Sequence, residues 1–143
     1  MKPIIPLLKY DAALAAIDWL CRVFGFSVRL LVPGAANQVM HAQLQRGDSL
    51  IMVSSVRPGE DGLCSPRSLT GTSQVVYVVE PELETFHERV MSTDAEILGP
   101  LERDEDGIGR FQVRDIEGHI WSFSDYDPLA HAPQPVGSTG ATP

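Results

Sequence analysis

Two stretches of the chain alternate apolar and polar side chains and then turn back on themselves. Met40-His41-Ala42-Gln43-Leu44-Gln45-Arg46 leads through Gly47-Asp48 into Ser49-Leu50-Ile51-Met52-Val53, and Phe111-Gln112-Val113-Arg114 leads through Asp115-Ile116-Glu117-Gly118 into His119-Ile120-Trp121-Ser122-Phe123. A period of two around a turn bearing Gly and Asp predicts a β-hairpin each time. The elements ahead of each hairpin match as well. Residues 4–10 predict a strand interrupted by Pro6, which belongs at an edge or a strand start because proline donates no ladder hydrogen bond. Asp11 is the expected helix N-cap, Leu14, Ile17, Leu20, Cys21 and Phe24 recur at helical spacing, and Gly25 ends the helix. Residues 26–32 predict a strand and 33–37 a turn. In the second half, residues 74–79 predict a β-branched strand, 81–91 a helix with Leu83, Phe86 and Val90 on one face, and 95–98 a short strand before the hairpin of 109–124.

The order β-α-β-β-β therefore occurs twice, at an offset of 69 or 70 residues. Ile17 matches Phe86, Cys21 matches Val90, Ser27-Val28 matches Glu96-Ile97, and Ser49-Leu50-Ile51-Met52 matches His119-Ile120-Trp121-Ser122. The predicted class is α+β, with two tandem modules, residues 1–55 and 73–127, whose curved mixed sheets enclose a cleft. Residues 56–72, rich in Ser, Pro, Gly and charge, connect them; residues 100–107 read as a solvated, mobile acidic loop and 128–143 as a disordered tail.

Composition narrows the partners. With 143 residues, 43% of them hydrophobic, the chain suits one domain or two small modules sharing a core. A formal net charge of −8 argues against nucleic acid or an anionic membrane surface, both of which demand a basic face, and is compatible with a cationic or neutral molecule. No run approaches the roughly 20 apolar residues of a membrane span, and the first residues lack the pattern of a secretory signal, so the expected location is cytoplasmic. Cys21 and Cys64 form neither a CxxC pair nor a zinc-type cluster, which predicts no disulfide framework and no structural zinc.

Strand parity assigns faces. Ile51, Val53, Trp121 and Phe123 make one bulky apolar set suited to lie under the helices, whereas Leu50, Met52, Ser54, Ile120, Ser122 and Ser124 make the other face, half apolar and half neutral polar, as in a small-molecule pocket. His41 is either a general base or substitute ligand, or a half-buried strand histidine satisfied by hydrogen bonds. By the repeat, Phe111 takes the place of His41 and becomes a cleft aromatic, with Gln112 and Arg114 facing outward. His119 at its turn and His87 on its helix are expected to be solvated, and Asp115 and Glu117 to be structural. Tyr10, Trp19 and Tyr77 are open between core, interface and ligand stacking.

Residues 111–123 and Ala16-Ile17-Asp18-Trp19-Leu20-Cys21-Arg22-Val23-Phe24-Gly25-Phe26 resemble the second-module hairpin and the first helix of the vicinal oxygen chelate superfamily, which includes glyoxalase I, bleomycin-resistance proteins, fosfomycin-resistance enzymes and extradiol dioxygenases. Ile116 stands where the family's hairpin has proline. The resemblance implies paired modules, commonly in homodimers, with four cleft positions that hold a divalent metal in the metal-dependent members. Those positions fall here on Ile5, Met52, Gln74 and Ser122, of which only Gln74 is a good ligand, so no metal and no cofactor is expected. The implied function is that of a bleomycin-resistance-type protein, serving antibiotic resistance by sequestering a small organic molecule. Leu50, Met52, Phe111 and Ile120 would bury the molecule, while Gln74, Ser122 and His41 would orient it. The competing expectation is a glyoxalase- or dioxygenase-like enzyme, a lyase or oxidoreductase that recruits metal through Gln74 and His41 or moves a proton with His41. A third is a vestigial cleft in a protein that acts through protein contacts.

Overall fold

The computed structural model describes residues 1–60 and 62–133; residues 134–143 of the expected tail lie outside the described residues. Leu7–Tyr10 (β1), Ala13–Phe24 (α1), Ser27–Pro33 (β2), Val39–Arg46 (β3) and Ser49–Ser55 (β4) form the first β-α-β-β-β unit. Val75–Val79 (β5), Leu83–Met91 (α2), Glu96–Ile97 (β6), Glu102–Arg103 (β7), Gly109–Arg114 (β8) and Ile120–Ser124 (β9) form the second. The first sheet has the order β1-β4-β3-β2 and the second β5-β9-β8-β6, with β7 added beside β8. Both are mixed, because β1 runs parallel to β4 and β5 parallel to β9 while the remaining pairs are antiparallel. The doubled α+β plan is thus present.

The acidic stretch at 100–107 is exposed from Glu102 to Gly107, as a solvated segment should be, but it is not all loop, because β7 lies within it. Glu102 pairs with Arg110 and Arg103 with Gly109, and Arg103 donates to Glu84 Oε1 at 2.8 Å, Asp125 Oδ2 at 2.9 Å and the Gly107 carbonyl at 2.7 Å. One guanidinium fork satisfies three acceptors at once, and the stretch is held.

Helix α1 shows how the two units are joined. Its N-cap residue is Ala12, not Asp11, and Ala12 has no side chain able to cap. The exposed backbone N–H groups of Asp11 and Ala12 donate instead to Glu117 Oε1 at 2.6 Å and Oε2 at 2.8 Å, reached from the turn between β8 and β9. The helix ends at Gly25 in the left-handed region, φ 82°, where a Cβ would lie 2.9 Å from the Arg89 guanidinium of α2. The buried face of α1 is Ala13, Ala16, Ile17, Trp19, Leu20, Val23 and Phe24. Leu14, expected on that face, is exposed, because the short side chains of Ala13 and Ala16 bring the neighbouring arc of the helix against the sheet.

Both sheets direct one face into a single shared core. Phe24 of α1 packs against Trp121 and Phe123 of the second sheet at ring-centroid distances of 5.1 and 4.9 Å, and Phe86 of α2 lies 4.7 Å from Phe123. Arg46 ties the units further: Nη2 meets Glu80 Oε1 at 2.7 Å, Nε donates to the Phe24 carbonyl, and the guanidinium stands 5.0 Å over the Phe86 ring. Truncating a large aromatic in such a core typically costs about 3–5 kcal/mol.

Candidate functional site

With one face of each sheet in the core, the opposite faces are where ligand chemistry can act. Directly paired residues share a face, so the registers define rows across each sheet. In the first sheet Leu7 pairs with Met52, Met52 with Gln43, and Gln43 with Leu30. In the second, Tyr77 pairs with Ser122 and Ser122 with Gln112. The rows are equivalent by the repeat. Leu7 and Tyr77, and Met52 and Ser122, are 70 residues apart, but Gln43 and Gln112 are 69 apart. The reason is turn length: two residues separate the paired Arg46 and Ser49, whereas three separate Asp115 from His119, whose carbonyl it bonds at 2.8 Å.

That single residue overturns one assignment. Phe111 is not a cleft aromatic: it pairs with Phe123, stacks on it at 5.4 Å, and is 3% exposed in the core. Gln112 and Arg114, expected to face outward, lie on the same face as Ser122 and Ile120. A slip of one residue inverts every side chain of a strand, and carrying an offset of 70 through the longer turn produced that slip.

The remaining candidates divide between the two faces. His41, paired with Val32, lies on the open face of the first sheet with Leu50 and Met52; it is half-buried, with its Nε2 3.1 Å from the Gln43 amide nitrogen. Ile120 and Ser122 lie on the open face of the second. Gln74 is exposed, one residue before β5. Two hollows lie beside β5, one against residues 3–6 and the β3–β4 turn and the other against β1. The larger, about 790 Å³, is walled by Phe26, Leu50, Val76, Tyr77 and Trp121. The smaller, about 610 Å³, is walled by Leu7, Gln74, Val75, His119 and Ile120. Leu50 thus lines the larger hollow and Gln74 and Ile120 the smaller, while His41, Met52 and Ser122 stand out on the sheet faces.

The β8–β9 turn is structural, and strongly so. Asp115 Oδ1 accepts from the backbone of Glu117, Gly118 and His119 at 3.0 Å each, and Oδ2 accepts from Tyr10 Oη at 2.6 Å and Trp121 Nε1 at 3.0 Å. Burial, reinforced by the Asp115 charge, raises the Tyr10 phenol well above its ordinary range. Glu117 adds the Ser65 hydroxyl at 2.7 Å to its hold on α1. His119, expected to be solvated, is half-buried with its Nε2 2.9 Å from the Lys9 carbonyl, and His87 sits edge-on to Phe111 at 4.6 Å. Both histidines are drawn in by flat aromatic or carbonyl partners from elements distant in sequence.

Residues 11–123 match the family model of the glyoxalase/bleomycin resistance protein/dioxygenase superfamily. The chain belongs to this superfamily. Among solved structures, TioX from Micromonospora sp. ML1 is 32% identical, with 87% of this chain and 98% of that one covered and a TM-score of 0.70. A glyoxalase/bleomycin resistance protein/dioxygenase from Nocardioides is 16% identical, with coverages of 96% and 91% and a TM-score of 0.66. A bleomycin resistance determinant encoded on the transposon Tn5 is 18% identical, with coverages of 87% and 97% and a TM-score of 0.61. No curated protein matches the sequence.

Against this superfamily's metal-dependent members, the side chains here are the wrong donors. Met52 offers a thioether and Ser122 a neutral hydroxyl; their strand partners are Leu7, Gln43, Tyr77 and Gln112. Tyr77 Oη is already donating to the Tyr126 carbonyl at 2.7 Å. Among the described residues no group of three or more His, Cys, Asp or Glu is placed to hold a metal ion. These residues do not fit a divalent centre, which asks for imidazole and carboxylate ligands.

Proposed function

We propose that this superfamily member binds a small organic molecule without a metal and retains it unchanged, in the manner of a drug-sequestering protein. The observation that carries this reading is the composition of the two open rows. Leu7, Met52, Gln43 and Leu30 in one, and Tyr77, Ser122 and Gln112 in the other, supply apolar surface and neutral hydrogen-bonding groups, with no paired acid and base to drive a reaction. Leu50, Gln74 and Ile120 extend the surface into the two hollows. A net charge of −8 favours neutral or cationic ligands over anions.

The active form in this reading is a homodimer, which would cover exposed apolar side chains outside the two rows, among them Val28, Val32 and Met40. Its location would be the cytoplasm, in keeping with the unpaired Cys21 and Cys64. Among the described residues no helix is long and apolar enough to cross a membrane.

The test is thermal unfolding in EDTA against a panel of neutral and cationic aromatic compounds, with the compounds recovered afterwards by mass spectrometry. A midpoint that rises with concentration for at least one compound, recovered intact, is the expected result. Met52→Arg, which puts a charge into the middle of the first row, abolishes the shift. Chemical conversion of a compound, or no shift across the panel, would overturn the reading.

A further inference from the structure

The second row differs from the first in one respect that bears on ligand class. At the position of Leu7 it carries Tyr77, a ring left 46% exposed at the centre of a strand. The ring is fixed at both ends: its backbone is in β5, and its hydroxyl donates to the Tyr126 carbonyl, just beyond β9. A tyrosine so anchored loses little further rotamer freedom when a ligand covers it. Tyr77 is also one of the residues lining the larger hollow, so room for a bound molecule adjoins this stretch of β5.

The neighbouring rows carry charge of both signs, with Glu96 across from Arg114 and Glu102 across from Arg110. Arg114 on one side is paired with Glu96 at 3.1 Å, and Arg110 on the other faces Asp104 at 3.7 Å. Between these pairs the row offers a ring, the Ser122 hydroxyl and the Gln112 carboxamide, and it carries no formal charge. A ring to stack on, with a hydroxyl and a carboxamide beside it in the same plane of the sheet, is complementary to a flat ring bearing hydrogen-bonding groups along its edge.

We propose that Tyr77, Ser122 and Gln112 form a subsite for an uncharged planar aromatic ring with polar edge groups, and that Tyr77 determines this selectivity. The proposal rests on the small-molecule reading above. The first row, with Leu7 in place of the ring, selects apolar bulk without regard to planarity.

The experiment is calorimetric titration of the full chain with two neutral probes of equal size, naphthalene-2-carboxamide and its fully saturated decalin counterpart. The wild-type protein is expected to prefer the aromatic probe by about tenfold, the factor that one stacked ring supplies. Tyr77→Leu, which copies the first row, brings the two affinities together. Tyr77→Phe keeps the ring, frees its anchor and retains part of the preference. Each ratio is measured on one protein sample, so partial unfolding of a variant does not alter it. Equal wild-type affinities, or a preference that survives Tyr77→Leu, would overturn the subsite while small-molecule binding stands. Failure of both probes would also overturn it, and the compound panel then decides separately whether anything binds.

Discussion

The two hairpin turns occupy equivalent places in a repeated plan, yet only the second buries carboxylates within the turn itself. Gly47-Asp48 reverses the chain, and a Cβ added at Gly47 would meet nothing within 4 Å. The β8–β9 turn is one residue longer and buries two carboxylates, which between them reach Tyr10, Trp121, Ser65 and the start of α1. Duplication supplies two copies of a hairpin; one extra residue lets one copy become the bracket that binds the other module. The same divergence leaves the sheet faces unlike, with Met52 and Leu7 on one side and Ser122 and Tyr77 on the other.

The largest expected effect breaks the bracket. Glu117→Ala leaves the Asp11 and Ala12 amides and the Ser65 hydroxyl without their buried acceptor, and should lower unfolding free energy in urea by about 3 kcal/mol or more. Asp48→Ala at the first turn should stay within about 0.5 kcal/mol. Equal losses would erase the contrast. Next in size are the turn glycines. Gly118 has φ 106° and a Cβ there would come within 3.2 Å of Pro66, so Gly118→Ala should cost about 2 kcal/mol, against about 1 kcal/mol for Gly47→Ala at φ 58° in open space. The smallest effect is alkaline. The folded Tyr10 phenol is raised well above its ordinary range while the unfolded one releases its proton near pH 10, so its contribution is intact below that pH and is lost as pH rises further. Stability curves should therefore fall from about pH 10 upward, less steeply in Tyr10→Phe.

Much of the fold was legible because period-two alternation and helical spacing are written locally. The second hairpin spans Gly109 to Ser124 as alternation predicts, and Gly25 ends α1. What was not legible depends on partners distant in sequence. Asp11 resembles an N-cap, but the acceptor comes from Glu117, more than 100 residues away; the signal that an external cap was needed is the alanine at the N-cap itself. A constant offset of 70 puts Phe111 on the open face, but the second turn carries one residue more, and that residue turns Phe111 into the core. Counting outward from each turn, 46 to 49 and 115 to 119, would have put Gln43 and Gln112 in equivalent rows and Phe111 in the core. Tyr77 becomes informative only once its exposure and its bond to Tyr126 are known.

The central claim is that the open rows bind without a metal, and elemental analysis tests it most directly. The purified chain is incubated separately with zinc, nickel, manganese and iron(II), dialysed, and analysed for metal per protein. The account predicts substoichiometric metal in all four cases, unchanged by His41→Ala or Gln74→Ala. One equivalent of any of these ions, lost when His41 or Gln74 is replaced, would contradict it.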